Sequence, residues 1–112
     1  MDVSTYQKIS TRTWNDEEER RHQIANAALG LCGEAGETAD YIKKFLYHGH
    51  PFSVDEMVKE LGDVAYYLAT LATLFHLDLG EILQANADKL RTRYPDGFST
   101  RDSLNRRDVA GT

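Results

Sequence analysis

Apolar residues along the chain recur at spacings of three and four. One stripe reads Ile24, Ala28, Leu31, Ala35, Ala39, Ile42, Phe45; a second reads Val54, Met57, Val58, Leu61, Ala65, Leu68, Ala72, Phe75. A shorter third holds Ile82, Leu83, Ala87 and Leu90. That period marks one face of an α-helix, and no strand-type alternation extends over five residues. The predicted class is all-α: a four-helix-type bundle protomer. Both long helices are apolar on more than one face, around Ala25–Leu31 and Val64–Phe75. So thin a core implies oligomerisation through those long helices.

Turn signals set the boundaries. GHP at 49–51 and YPDG at 94–97 hold both prolines and are the clearest breaks. A first helix is predicted from about Thr5 to Thr13. Asn15 or Asp16 would cap a second that runs to about Tyr47. Ser53 opens a third, where S-V-D-E reads as a capping box closed by Glu56. His76 to Leu79 is a turn, and Asp78 caps a fourth helix ending near Arg93. This gives one domain over residues 1–98, followed by a polar, unpatterned tail over 99–112 that is expected to be mobile.

Composition narrows the function. Thirteen Lys+Arg against 18 Asp+Glu leave a net charge of −5 over 112 residues, which argues against a surface for duplex nucleic acid. The run Val64–Phe75 is too short to span a bilayer and contains Thr70 and Thr73. No membrane partner is expected. MDVSTYQKIS lacks the apolar stretch of a signal peptide, and the lone Cys32 excludes an intrachain disulfide, so the expected location is the cytoplasm.

Two acidic pairs carry the candidate chemistry: Glu34-Ala-Gly-Glu37 on the second helix and Glu60-Leu-Gly-Asp63 on the third. An i, i+3 spacing puts each pair on one helix face. At 100° per residue Glu34 lies about 60° from the centre of its apolar stripe and Glu37 about 120° on the same side. If the helices pack antiparallel through their stripes, both pairs border one groove. None of the four acids has a Lys or Arg three or four positions C-terminal to it, and Lys59 is the only cation at pairing distance. Repelling carboxylates beside a core require neutralisation, for which a hard divalent cation is suited: Mg²⁺, or Mn²⁺ of the same class. Gly30, Gly33, Gly36 and Gly62 interrupt these helices, either for close helix crossing or to leave room for metal, water and phosphate. On the fourth helix Asn86, Lys89 and Arg93 share a face, a stripe suited to phosphate oxygens. Tyr67, one turn after Asp63, is either a phosphate donor or a core aromatic with a wet tip.

The order Glu34/Glu37, then residues 38–59, then Glu60/Asp63, set in LGLCGEAGETADYIKK and VKELGDVAYYLATLA and followed by NADKLRTRYPDGF, resembles the MazG-like nucleoside triphosphate pyrophosphohydrolases. These share an all-α superfamily with dimeric dUTPases, dCTP pyrophosphatases and phosphoribosyl-ATP pyrophosphohydrolase. The likeness covers roughly residues 5–98. It implies that Glu34, Glu37, Glu60 and Asp63 bind Mg²⁺ and that Lys89 and Arg93 hold phosphates. Asn86 and Tyr67 match positions touching sugar or phosphate, and Trp14 matches a base-stacking aromatic; its alternative is a core Trp. It further implies a nucleoside triphosphate substrate and a homodimer or homotetramer.

The activity expected from this resemblance is Mg²⁺-dependent hydrolysis of a (deoxy)nucleoside triphosphate to monophosphate and pyrophosphate, by water attack on the α-phosphorus, with Glu34 as the base. The alternatives are a narrow dUTP, dCTP or phosphoribosyl-ATP hydrolase, and a non-catalytic helical interaction module with a vestigial metal site.

Overall fold

The computed structural model describes residues 1–109. It contains α1 (Val3–Arg12), α2 (Arg20–Tyr47), α3 (Val54–Leu74), α4 (Leu79–Arg93) and α5 (Thr100–Asn105), then a 3₁₀ turn over Arg107–Val109. No strand occurs among the described residues, apart from an isolated bridge between Pro95 and Gly97. The all-α expectation holds. No helix among them is long and apolar enough to cross a membrane.

The fold is organised by α2 and α3, which share its most extensive interface. Arg20 donates to the carbonyl of Leu74, the Gly30 backbone meets the Tyr67 ring, and Tyr41 meets Ser53. Partners therefore advance along α2 as they retreat along α3, so the pair is antiparallel. Ala27 lies fully buried in α2, with Ala69 and Ala72 buried in α3. Small side chains at these positions let the helices approach closely.

At the far end of α3, α1 and α4 pack on it and on each other. Leu79 joins Ala69 and Ala72 there, with Tyr6 and Ile82 against them. Gln7 ties this junction together. Its amide donates to Thr73 Oγ1 at 3.0 Å and to the Leu77 carbonyl at 2.9 Å, while its oxygen accepts the Leu79 N–H at 2.9 Å. The α3 C-terminus is closed by the Leu77 N–H on the Ala72 carbonyl at 2.8 Å, with His76 in the left-handed region at φ 57°.

The caps partly follow the sequence. Asp78 and Ser53 accept the N–H of Glu81 and Glu56 respectively, as expected. The second half of the capping box differs. The Ser53 N–H donates to the Tyr41 hydroxyl at 2.6 Å, and Glu56 instead faces Lys59. Neither Asn15 nor Asp16 caps α2. Asn15 turns its oxygen onto the Glu17 N–H at 3.0 Å, and the helix begins four residues later at Arg20, behind Glu19, with no side-chain cap. Gln23 fixes that entry by donating to the Glu18 carbonyl at 2.8 Å while accepting from Trp14.

The expectation of an unpatterned tail over 99–112 is corrected over its described part; residues 110–112 lie outside the described residues. Ser99 caps α5 by accepting the Asp102 N–H at 3.0 Å. Arg106, in the left-handed conformation at φ 51°, turns the chain back onto α4. The sequence holds a signal for this: Ser99 and Asp102 repeat the Ser-x-x-acid spacing of Ser53 and Glu56.

Much apolar surface remains uncovered. Leu29, Leu46, Phe52, Val54, Val58 and Leu61 are all more than half exposed. The radius of gyration is 17.4 Å, against about 13 Å for a compact chain of this size.

Two outcomes follow from this packing. Replacing Gln7 by Ala removes three hydrogen bonds at the α1 junction and is expected to destabilise the protein by about 2 kcal/mol in denaturant unfolding. A Cβ at Gly30 would overlap Cε1, Cδ1 and Cζ of Tyr67. Gly30→Ala is therefore expected to destabilise by about 1–2 kcal/mol, despite the higher helix propensity of alanine. A net gain in stability would show that the Tyr67 ring does not rest on α2.

Candidate functional site

The antiparallel register of α2 and α3 brings one turn of each helix together. Carboxylate oxygens of Glu34, Glu37 and Glu60 lie within 4.8 Å of one another. Glu34 and Glu60 are half-buried and Glu37 is exposed. Among the described residues, Glu34 Oε2 and Glu60 Oε2 are the buried side-chain polar atoms that have no hydrogen-bond partner. Such atoms normally find a partner, so this pair of acceptors needs a donor or a cation.

The electrostatics agree. Burial pushes the Glu34 carboxyl above the ordinary glutamate value, and the charges of Glu37, Asp63 and Glu60 push it further in the same direction. The Glu60 carboxyl is raised by burial first, then by Glu37, Asp63 and Glu56. Among the described residues no cation pairs with them: Lys43 and Lys44 both pair with Asp40, and Lys59 pairs with Glu56. The donor set is all oxygen and anionic, which fits a hard divalent cation. Gly33, Gly36 and Gly62 have open space where a Cβ would stand. Close crossing accounts for Gly30 alone among these four helix glycines.

Asp63 lies outside the three-carboxylate cluster, although its charge reaches both Glu34 and Glu60. It also faces α1, where burial and then the Asp63 charge raise the Tyr6 hydroxyl. One turn further along α3, Tyr66 and Tyr67 stand edge to face at 5.2 Å. Trp14 packs against both, with centroids at 6.4 Å. Its indole N–H donates to Gln23 Oε1 at 2.9 Å, and the Thr13 hydroxyl bonds the Tyr66 hydroxyl at 3.1 Å. Trp14 and Tyr67 thus share an aromatic wall beside the acids. Tyr66 belongs to it as well, while Tyr6 lies near Asp63 and packs on the Ala69–Leu79 cluster; the sequence reading misses both. The i, i+3 spacing of Asp63 and Tyr66 is the local signal for Tyr66; Tyr6 has none, because only tertiary packing brings it there.

The α4 residues are placed differently. Asn86 and Lys89 are exposed. No hydrogen bond or ion pair joins Asn86, Lys89 or Arg93 to the four acids among the described residues. Arg93 instead binds Asp108 through Nε and Nη2 at 2.8 and 2.9 Å.

Comparison with known proteins bears on this geometry. The MazG nucleotide pyrophosphohydrolase domain matches residues 22–98, a stretch that includes all four acids and the α4 stripe. The Gene 37 protein of Mycobacterium phage L5 is 36% identical over 78 residues, covering 66% of this chain and 68% of the phage protein. The dCTP pyrophosphatase 1 proteins of Rattus norvegicus and Mus musculus are each 36% identical over 83 residues, covering 69% of this chain. The match spans 49% of each pyrophosphatase, about half its length. No solved structure matches. With the ordered acid pairs on two antiparallel helices and a family match over most of the chain, this protein belongs to the MazG nucleotide pyrophosphohydrolase family and is an enzyme of that class.

Proposed function

We propose that the protein hydrolyses (deoxy)nucleoside triphosphates to the monophosphate and pyrophosphate, using Mg²⁺ or Mn²⁺ held by Glu34, Glu37, Glu60 and Asp63. The observation carrying this reading is the cluster of three carboxylates within 4.8 Å, with two buried oxygens unpartnered. When bound, the divalent cation supplies Lewis-acid neutralisation of the phosphate oxygens.

The chain's own residues take the remaining roles. Glu34 orients a water for in-line attack on the α-phosphorus and accepts its proton. Its raised proton affinity is in the direction a general base needs. The bond from the α-phosphorus to the bridging oxygen breaks, and pyrophosphate leaves. Lys89 and Arg93 stabilise the charge on the departing oxygens, and Asn86 contacts the sugar or phosphate. The wall of Trp14, Tyr66 and Tyr67 stacks on the base, with Tyr67 at the phosphate side. The two related dCTP pyrophosphatases favour a deoxycytidine substrate as the first to test. Stacking itself tolerates every base.

The uncovered leucines and valines of the long helices, with Phe52 in the connection between them, support a homodimer or homotetramer. Its homo-oligomeric state is open to light scattering.

The experiment is pyrophosphate and monophosphate release from a panel of NTPs and dNTPs, with and without Mg²⁺. Mg²⁺-dependent release of both products is expected; a panel without turnover would favour a helical scaffold. Glu34→Gln is expected to lower kcat by about 10²–10³-fold, while thermal stabilisation by Mg²⁺ is reduced but not lost, because Glu37, Glu60 and Asp63 remain as ligands. Near-normal turnover of that variant would remove Glu34 as the base.

The stabilisation should also depend on pH. Carboxyls raised on folding favour the protonated native state. Without metal, the contribution of Glu34 and Glu60 to stability is present below the ordinary glutamate value of 4.5 and is lost as pH rises through their folded values. Mg²⁺ binds the deprotonated cluster more tightly, so the Mg²⁺-induced rise in Tm should be larger at neutral pH than near pH 5. An equal rise at both would place the cation elsewhere.

A further inference from the structure

Arg93 ends α4, and its guanidinium is already engaged. Nε and Nη2 donate side-on to the two oxygens of Asp108. Arg106 approaches the same carboxylate through Nε and Nη2, each at 3.3 Å. The Asp108 side chain is 2% exposed, that of Arg93 18% and that of Arg106 47%. Two arginines thus share one buried carboxylate, and the group keeps one net positive charge at its more exposed side. The Tyr94 ring lies 5.8 Å from the Arg93 guanidinium carbon and restrains it further.

The pairing leaves donors to spare. A guanidinium has five N–H groups in a rigid fork. Asp108 uses two of those on Arg93 and the Tyr94 side chain engages the guanidinium as well, so the fork still keeps N–H groups for an outside acceptor. An arginine whose torsions are already fixed loses little freedom when it grips a ligand.

A competing role, in which Asp108 blocks Arg93 until substrate displaces it, fits poorly. Opening the pair would leave a nearly fully buried carboxylate with only the two longer contacts from Arg106. Its location is also built by several local devices: the Ser99 cap, the left-handed turn at Arg106, and the Arg106 N–H on the Asp102 carbonyl at 3.1 Å.

We propose that Asp108 is a positioning residue for the polyphosphate grip: from beyond the YPDGF segment it fixes Arg93 and recruits Arg106 as a further cation for the pyrophosphate moiety. The inference rests on the reading of Arg93 as a phosphate-binding residue. Residues 99–109 then belong to the working enzyme and are not an appendage.

The test uses the full chain with Mg²⁺. It compares Arg93→Ala, Asp108→Asn, Arg106→Ala and the charge-swapped double variant Arg93→Asp/Asp108→Arg. The readouts are KM and kcat for the best nucleotide, calorimetric Kd for inorganic pyrophosphate, and the denaturation midpoint. Asp108→Asn is expected to raise KM and the pyrophosphate Kd by about tenfold, with a smaller fall in kcat. Arg106→Ala should weaken pyrophosphate binding in the same direction. The swapped variant should recover the denaturation midpoint while KM and Kd stay as high as in Arg93→Ala.

Recovery of KM and Kd together with stability would show that the pair only holds the tail, and would overturn the proposal. So would Asp108→Asn with KM and Kd within about twofold of the parent, while Arg93→Ala raises both. If Arg93→Ala itself changes neither, the phosphate reading of Arg93 fails instead. Should Asp108→Asn not fold, the swapped variant decides alone.

Discussion

Like-charge repulsion across the α2–α3 interface is the constraint around which the rest of this structure is arranged. Three carboxylates within 4.8 Å, two of them half-buried, repel one another in a region of reduced dielectric. Among the described residues no cation pairs with them, and the lysines nearest in sequence are engaged with Asp40 and Glu56. Burial first, and the neighbouring acids after it, raise the carboxyls of Glu34 and Glu60. Holding the acids together falls to the helix pair, and the buried alanines and Gly30 set how close its backbones come. A ligand that relieves the repulsion adds its binding free energy to stability, so folding and function are linked at this site.

The aromatic wall is built on the same scaffold. Tyr66 and Tyr67 follow Asp63 by one helical turn, so any shift of α3 moves acids and rings together. Trp14 reaches them from the connection between α1 and α2, and Gln23 anchors it there by joining the indole to the Glu18 carbonyl. Gln7 performs the matching task from the middle of α1, where it satisfies groups at the end of α3 and in the α3–α4 turn. Side-chain amides thus hold together elements whose apolar contact is slight. With four buried apolar residues among those described and a long row of uncovered leucines and valines, the chain buries little of its hydrophobic surface within itself.

The sequence by itself determined the four main helices and the face each acid occupies. Those features depend on residues three and four apart, and a single chain displays that spacing directly. The caps at Ser53 and Asp78, the α4 end at Arg93 and the pairing of Glu34 with Glu37 all belong to this local class. It also carried the family, because the ordered acid pairs and the residues around them are a linear pattern.

Other features were decided only by tertiary structure. Which three of the four acids converge depends on the α2–α3 register, and Asp63 falls outside them. Tyr41 displaces Glu56 from the Ser53 N–H, and Asn15 gives its oxygen to Glu17 and not to the helix start. Tyr6 comes near Asp63, and Asp108 takes hold of Arg93, across chain separations that leave no periodic trace. A side chain with several partners in reach chooses by geometry and burial, and both exist only once the helices have packed.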